Sequence, residues 1–213
     1  MNGFHRLHQL RMENDAAGYA MEEMRPRFDR IAGRHENGTA PVAVSAYQLF
    51  QTPVPIATHL AELLDLKSMP RPFRMLEPSA GLGRLLDALL PYDPAMVQAV
   101  EIATPLCAEL YRQDRAKVNL HQRDFLTMTP GDTGFFDAVI MNPPFHMRSD
   151  IKHILHALTF LEPGGKLAAI CMAGPHREAQ LRPLASKWIS LDPATFAETG
   201  TRVQTAMLLI TKR

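Results

Sequence analysis

Asn142, Pro143, Pro144 and Phe145 follow directly on the apolar run Phe136-Asp137-Ala138-Val139-Ile140-Met141. That run reads as a buried strand, so an amide, two prolines and an aromatic ring stand at its end. The prolines fix the backbone and remove donors, and the turn therefore presents bare carbonyls. The Asn142 side-chain oxygen and the Pro143 carbonyl could each accept a hydrogen from an exocyclic NH2, localising the nitrogen lone pair and aiming it at an electrophile. Phe145 could stack on the plane that carries this nitrogen. Without that chemistry the same string is a Pro-Pro turn with Phe145 tucked into the core.

Upstream, Met75-Leu76-Glu77-Pro78-Ser79-Ala80-Gly81-Leu82-Gly83-Arg84-Leu85-Leu86 reads as a short strand, a glycine turn and a helix, a place where backbone comes close to a ligand. Leu86 stands where a dinucleotide fingerprint needs its third glycine, which disfavours a pyrophosphate cradle. Glu77 ahead of the turn suits a cationic or amine-bearing ligand better than an anion. The next strand, Met96 to Val100, ends in Glu101, where a carboxylate could hold two ribose hydroxyls. Asp124 and Phe125 pair a carboxylate with an aromatic face, a combination suited to an adenine.

The order and spacing of these motifs resemble the class I S-adenosylmethionine-dependent methyltransferases, and within them the amino-methyltransferases with an Asn-Pro-Pro-Phe/Tyr signature. The resemblance covers roughly residues 47 to 213. It implies S-adenosyl-L-methionine as cofactor, with Glu77, Pro78, Ser79, Gly81 and Gly83 forming the glycine loop. Glu101 and Ile102 would take the ribose side, and Asp124 and Phe125 the adenine. Asn142, Pro143, Pro144 and Phe145 would be the catalytic loop, with Asn142 also reaching the cofactor. Tyr47-Gln48-Leu49-Phe50-Gln51-Thr52-Pro53 resembles the N-terminal cofactor motif of adenine-N6 methyltransferases whose glycine loop precedes the catalytic loop, with Thr52 near the methionine carboxylate. Thr52 and Pro53 also suit the N-cap and first turn of a helix over 54–66. Phe145, His146, Arg148 and Lys152 would meet the substrate.

With 213 residues and 46% hydrophobic content, the chain is long enough for one such domain and an N-terminal appendage. No apolar run approaches a membrane span, and Met1-Asn2-Gly3-Phe4-His5-Arg6 lacks a signal-peptide core; cytoplasmic residence and no membrane partner are the expectation. Cys107 and Cys171 lack metal-site spacing and read as reduced core residues. His153 and His156 stand three apart on a helix without a third ligand, so no metal is expected. A net charge of +1 carries no global nucleic-acid signature. Arg148 and Lys152 are the local cations placed where a substrate backbone would pass.

Helix-like segments at 54–66, 82–90, 104–114, 149–161 and 176–187 alternate with strands at 73–77, 96–100, 117–120, 136–141 and 166–172, with a turn at Glu162-Pro163-Gly164-Gly165. Two final strands near 193–198 and 204–211 read as a hairpin. The pattern predicts an α/β fold: a Rossmann-like, doubly wound, mainly parallel seven-stranded sheet with a C-terminal antiparallel hairpin, its ligands at the strand carboxyl ends. Residues 1–46 read as an N-terminal helical extension and linker ahead of the methyltransferase domain at 47–213. Packing on its own domain is the default for that helix, with a homodimer as the alternative.

The resemblance implies methylation of an exocyclic amine. Adenine N6 in DNA comes first, because Phe50 to Pro53 and the tail Phe196 to Val203 resemble phage- and plasmid-type DNA methyltransferases. A guanine N2 or adenine N6 in ribosomal RNA comes second, and a protein glutamine amide third. A non-catalytic cofactor-binding module is the remaining alternative. The chain leaves no room for a large target-recognition domain, so discrimination would come from loops, the N-terminal helix or a partner.

Overall fold

A computed structural model describes residues 51–199 and 203–213. The expected N-terminal helix and linker, and Tyr47 to Phe50, lie outside the described residues. Seven strands form one sheet in the order β3-β2-β1-β4-β5-β7-β6. They are β1 Arg74–Glu77, β2 Met96–Glu101, β3 Val118–Gln122, β4 Phe136–Met141, β5 Leu161–Met172, β6 Lys187–Ser190 and β7 Thr205–Thr211. β1 to β5 are mutually parallel, and β7 runs antiparallel to both β5 and β6. Among the described residues the α-helices are α1 Val54–Leu63, α2 Arg84–Leu89, α3 Thr104–Arg112, α4 Pro130–Thr133, α5 Ser149–Thr159 and α6 Pro175–Leu181.

The central strand shows why the sheet is covered on both sides. Ala138 and Ile140 of β4 join the core under α1 and α2, whereas Val139 and Met141 join the core under α5. Side chains alternate between two buried faces, so β4 is apolar apart from Asp137, half-buried near its start, whose Oδ2 accepts from the Arg74 N–H over 2.7 Å. The order of strands reverses between β1 and β4, which opens a crevice at their carboxyl ends.

Three local expectations are corrected. The Glu162-Pro163-Gly164-Gly165 turn is instead part of β5, where the register against β4 shifts between Phe136 and Ala138. Gly164 adopts φ +80 there, and its N–H donates to the Lys212 carbonyl over 2.9 Å, so the glycines bulge within a paired strand. The helix expected over 176–187 ends at Leu181, and Lys187–Ser190 is a strand, since Trp188 and Ile189 favour a pleated, half-buried surface. The strand expected near 193–198 is a 3-10 helix, with Asp192 Oδ1 accepting from the Ala194 N–H over 2.7 Å at its start. The antiparallel finish is therefore β6 with β7.

Candidate active site

The carboxyl ends of β3, β2, β1 and β4, four neighbours in the sheet, open on one cavity of about 510 Å3. That volume lies within the range of small-molecule sites. Its lining includes Thr52, Glu77, Pro78, Ser79, Gly81, Glu101, Ile102, Asp124, Phe125, Asn142, Pro143, Pro144 and His146, so most residues singled out in the sequence meet in one place.

The turn after β1 is held from two sides. Gly81 and Gly83 take φ +55 and +83, a region that L side chains rarely adopt. The Gly83 N–H donates to the Ala80 carbonyl over 2.8 Å, and the Ala80 N–H to the Val100 carbonyl over 3.0 Å. Glu101 at the end of β2 completes the clamp. Its Oε2 accepts from the Gly81 N–H, and its Oε1 accepts from the Ile102 and Ala103 N–H groups, each over 2.8 Å. A carboxylate with three backbone donors is fixed in position before any ligand arrives. Gly83 itself stands off the cavity: a Cβ there would lie 2.7 Å from the Arg115 guanidinium, so its bareness makes room for that side chain.

Glu77 is a buried carboxyl with little support. It is 1% exposed, and its Oε2 is buried with no partner among the described residues. Burial pushes its pKa well above the usual carboxyl range, opposed by the nearby Arg115 charge. Such an orphan is explained by a missing donor or cation. Arg84, on the same lining, buries its Nε without a partner, and sequence reasoning passed over it.

Beyond the end of β3, Asp124 caps a 3-10 turn, its Oδ1 accepting from the Leu126 N–H over 2.9 Å. Phe125 is held edge-on by His156, with ring centroids 4.9 Å apart, and tilted against Phe160 at 5.2 Å. His156 is a fixing residue here, since its Nε2 lies 3.0 Å from the Met128 carbonyl oxygen. No group of three metal-ligating side chains occurs among the described residues. Both cysteines are buried and free, and burial pushes the Cys171 thiol up to about 12.

The loop after β4 divides between cavity and core. Asn142 is half-buried and donates from Nδ2 to Thr52 Oγ1 over 3.0 Å. Thr52 is thus tied to the loop instead of capping α1, whose N-cap is Pro53. Pro144 and His146 are exposed at the mouth. Phe145 is only 5% exposed and packs into the core under α1 and α2, off the cavity lining, so stacking on a substrate would require the ring to swing outward. Arg148 and Lys152 are exposed and also stand off the lining; Arg148 Nη1 lies 3.0 Å from His176 Nε2, which joins the loop to α6. Met147 and Arg148 take φ +48 and +61, and Met147 is 81% exposed. Ser149 and His153 of α5 close the wall; in the sequence His153 stood out only for its spacing of three from His156, and Ser149 not at all.

The fold is that of a Rossmann-like methyltransferase, a mostly parallel sheet with a C-terminal antiparallel pair and helices around it. Residues 60–186 match the Methyltransferase small domain, and the chain belongs to that family. S-adenosylmethionine is the cofactor. The cavity fits it: a preformed carboxylate for hydroxyls, an orphaned buried carboxyl for a positive charge, and an aromatic face. No protein of curated function matches the chain. Among solved structures, a Pyrococcus horikoshii protein assigned as an RNA methyltransferase is 18% identical, with 78% of this chain and 87% of that one covered and a TM-score of 0.64. The type I restriction-modification methyltransferase subunit of Streptococcus thermophilus is 18% identical over 76% of this chain and 44% of its own, with a TM-score of 0.64. TrmN of Thermus thermophilus is 18% identical over 79% and 51%, with a TM-score of 0.58. The chain thus spans about half the length of the last two. No helix among the described residues is long and apolar enough to cross a membrane.

Proposed function

We propose that this protein methylates an exocyclic amine nitrogen of a nucleic-acid base, adenine N6 in DNA before all others. The observation that carries the reading is the placement of the Asn142-Pro143-Pro144 turn on the same cavity as the glycine loop and Glu101. S-adenosylmethionine supplies a methyl group bound to a positively charged sulfur.

The chain's own residues do the rest. Glu101 would take the ribose hydroxyls, Glu77 the positively charged amino group, and Arg84 with Thr52 the carboxylate of the cofactor. Asn142 Oδ1 and the Pro143 carbonyl accept the two hydrogens of the target amine. Acceptors aimed at that nitrogen favour a pyramidal geometry as positive charge develops, and most of the acceleration comes from orientation. Phe145 anchors the loop in the core and reaches the base only by turning outward. Arg148 and Lys152 lie along the path of the phosphate backbone. In a duplex the base must leave the stack, at a cost of a few kcal/mol.

RNA is the second reading, favoured by the two RNA-directed names among the similar structures, the P. horikoshii protein and ErmE, which is named as a 23S rRNA methyltransferase. The deciding experiment supplies methyl-labelled S-adenosylmethionine with unmethylated DNA, ribosomal RNA and cell protein, then digests each polymer. Label in N6-methyladenine from DNA is the expected result. Label only in RNA or in methylglutamine would replace the substrate, and no transfer despite cofactor binding would favour a non-catalytic module.

A further inference from the structure

His153 has no part in the scheme above, yet it lines the cavity. It sits on α5 at 8% exposure, with its ring centroid 6.1 Å from that of Phe125. Its Nδ1 lies 2.8 Å from the Ser149 carbonyl oxygen and 3.0 Å from the Ser149 Oγ. A carbonyl oxygen can only accept. At 2.8 Å the imidazole must therefore donate, so the proton sits on Nδ1 and the serine oxygen serves as a second acceptor. The opposite tautomer would set two lone pairs against each other.

A proton on Nδ1 puts the ring's lone pair on Nε2. No hydrogen bond among the described residues reaches that atom, and it is not among the sealed, unpartnered groups. Burial holds the His153 pKa below its ordinary value, against the pull of Asp124 and Asp150, so the ring is neutral at physiological pH. The wall therefore presents an uncharged acceptor beside the Phe125 face.

Asp124 is the second acceptor on this part of the wall, with one of its oxygens engaged by Leu126. Ile102 and Leu126 add exposed apolar surface. Two acceptors and apolar side chains on one stretch of the lining fit a planar ring bearing an NH2 group. We propose that His153 recognises the 6-amino group of the cofactor's adenine, Nε2 accepting from one N–H while Asp124 accepts from the other. The proposal rests on the S-adenosylmethionine reading of the cavity and is independent of the methyl acceptor.

The test compares the affinities of S-adenosylhomocysteine and S-inosylhomocysteine, measured by calorimetry. The second ligand carries a carbonyl oxygen in place of the amine. A site built to accept hydrogen bonds rejects a ligand lacking the donor by large factors. Wild-type protein should prefer the adenosyl ligand by about a hundredfold or more, and His153→Phe should cut that preference about tenfold while leaving S-inosylhomocysteine affinity near the wild-type value. His153→Gln, which keeps an acceptor, should retain part of the preference. Because the readout is a ratio within one variant, a general packing defect cancels. An unchanged ratio in His153→Phe would overturn the proposal. Failure of wild-type protein to bind either ligand would overturn the cofactor reading and this inference with it.

Discussion

Asn142 Nδ2 donates to Thr52 Oγ1 over 3.0 Å, joining residues 90 positions apart across the mouth of the cavity. The bond holds the Asn142 side chain in place, so Thr52, two residues ahead of α1, bears on where the amide stands in the loop after β4. Replacing Thr52 with Val removes the hydroxyl at nearly constant shape. A lost hydrogen bond of about 0.5–1.5 kcal/mol translates to roughly a two- to tenfold fall in kcat. Thr52→Ser should restore turnover, and a Val variant with wild-type kcat would show that the bond does not position Asn142.

Gly83→Ala should lower thermal stability and weaken cofactor binding. The φ of +83 costs an alanine about 1–2 kcal/mol. The new Cβ also meets Arg115, which is held by Asp87 through Nε and Nη2 at 2.9 and 2.8 Å. In an Arg115→Ala background the clash disappears and the φ penalty remains, so a thermal-melt double-mutant cycle should give a coupling of matching sign. Additive effects would show that Arg115 does not press on the turn.

Glu77→Gln should stabilise the free protein while weakening cofactor binding. The folded-state pKa of Glu77 is raised by burial above 4.5, so the folded form holds a proton that the unfolded chain releases. Stability from this group is therefore present at low pH and is lost as pH rises from about the unfolded value toward the raised folded one. Melting temperatures of the variant and the wild type should converge near pH 4 and separate in favour of Gln toward neutrality. A constant difference across that range would contradict the assignment.

Asp150 is fully buried and binds the Arg177 Nε over 2.8 Å and the Met172 N–H over 3.1 Å, tying the start of α5 to the end of β5. Arg177→Met leaves a buried carboxylate uncompensated and should cost about 3–5 kcal/mol in denaturant melts. Adding Asp150→Asn should recover part of that loss, because the amide carries no charge. No recovery would place the effect in packing by the arginine stem.

Phe145→Ala should destabilise the fold as well as impair methyl transfer. The ring is 5% exposed within the core, and truncating a buried Phe costs about 3–5 kcal/mol. Chemical denaturation measures the first effect independently of turnover. A variant of wild-type stability would mean that the ring spends its time outside the core.

The parallel half of the fold was legible because β1, β2 and β4 are largely buried on both faces and read as mostly apolar runs that end at the cavity. The C-terminal region was less so. β6 is an edge strand with exposed ends and two half-buried central residues, and Lys187-Trp188-Ile189-Ser190 is too short to show a strand period against the helical pattern running into it. The cavity-lining residues legible in the sequence were those carried by motifs, Glu77, Glu101, Asp124 and Asn142 among them. Arg84 and His153 acquire meaning only from the unpaired atoms that tertiary packing leaves on them. The inward position of Phe145 is likewise a property of packing, since an aromatic after two prolines is equally compatible with core and with ligand.

In the proposed function, one loop orients the amine while the cofactor is held elsewhere on the cavity. The most direct test measures S-adenosylhomocysteine affinity and single-turnover methyl transfer on the same preparations of wild type and Asn142→Ala. The account predicts cofactor affinity within a few-fold of wild type and transfer reduced at least about a hundredfold, as for loss of a transition-state acceptor. Transfer at the wild-type rate in Asn142→Ala would contradict it.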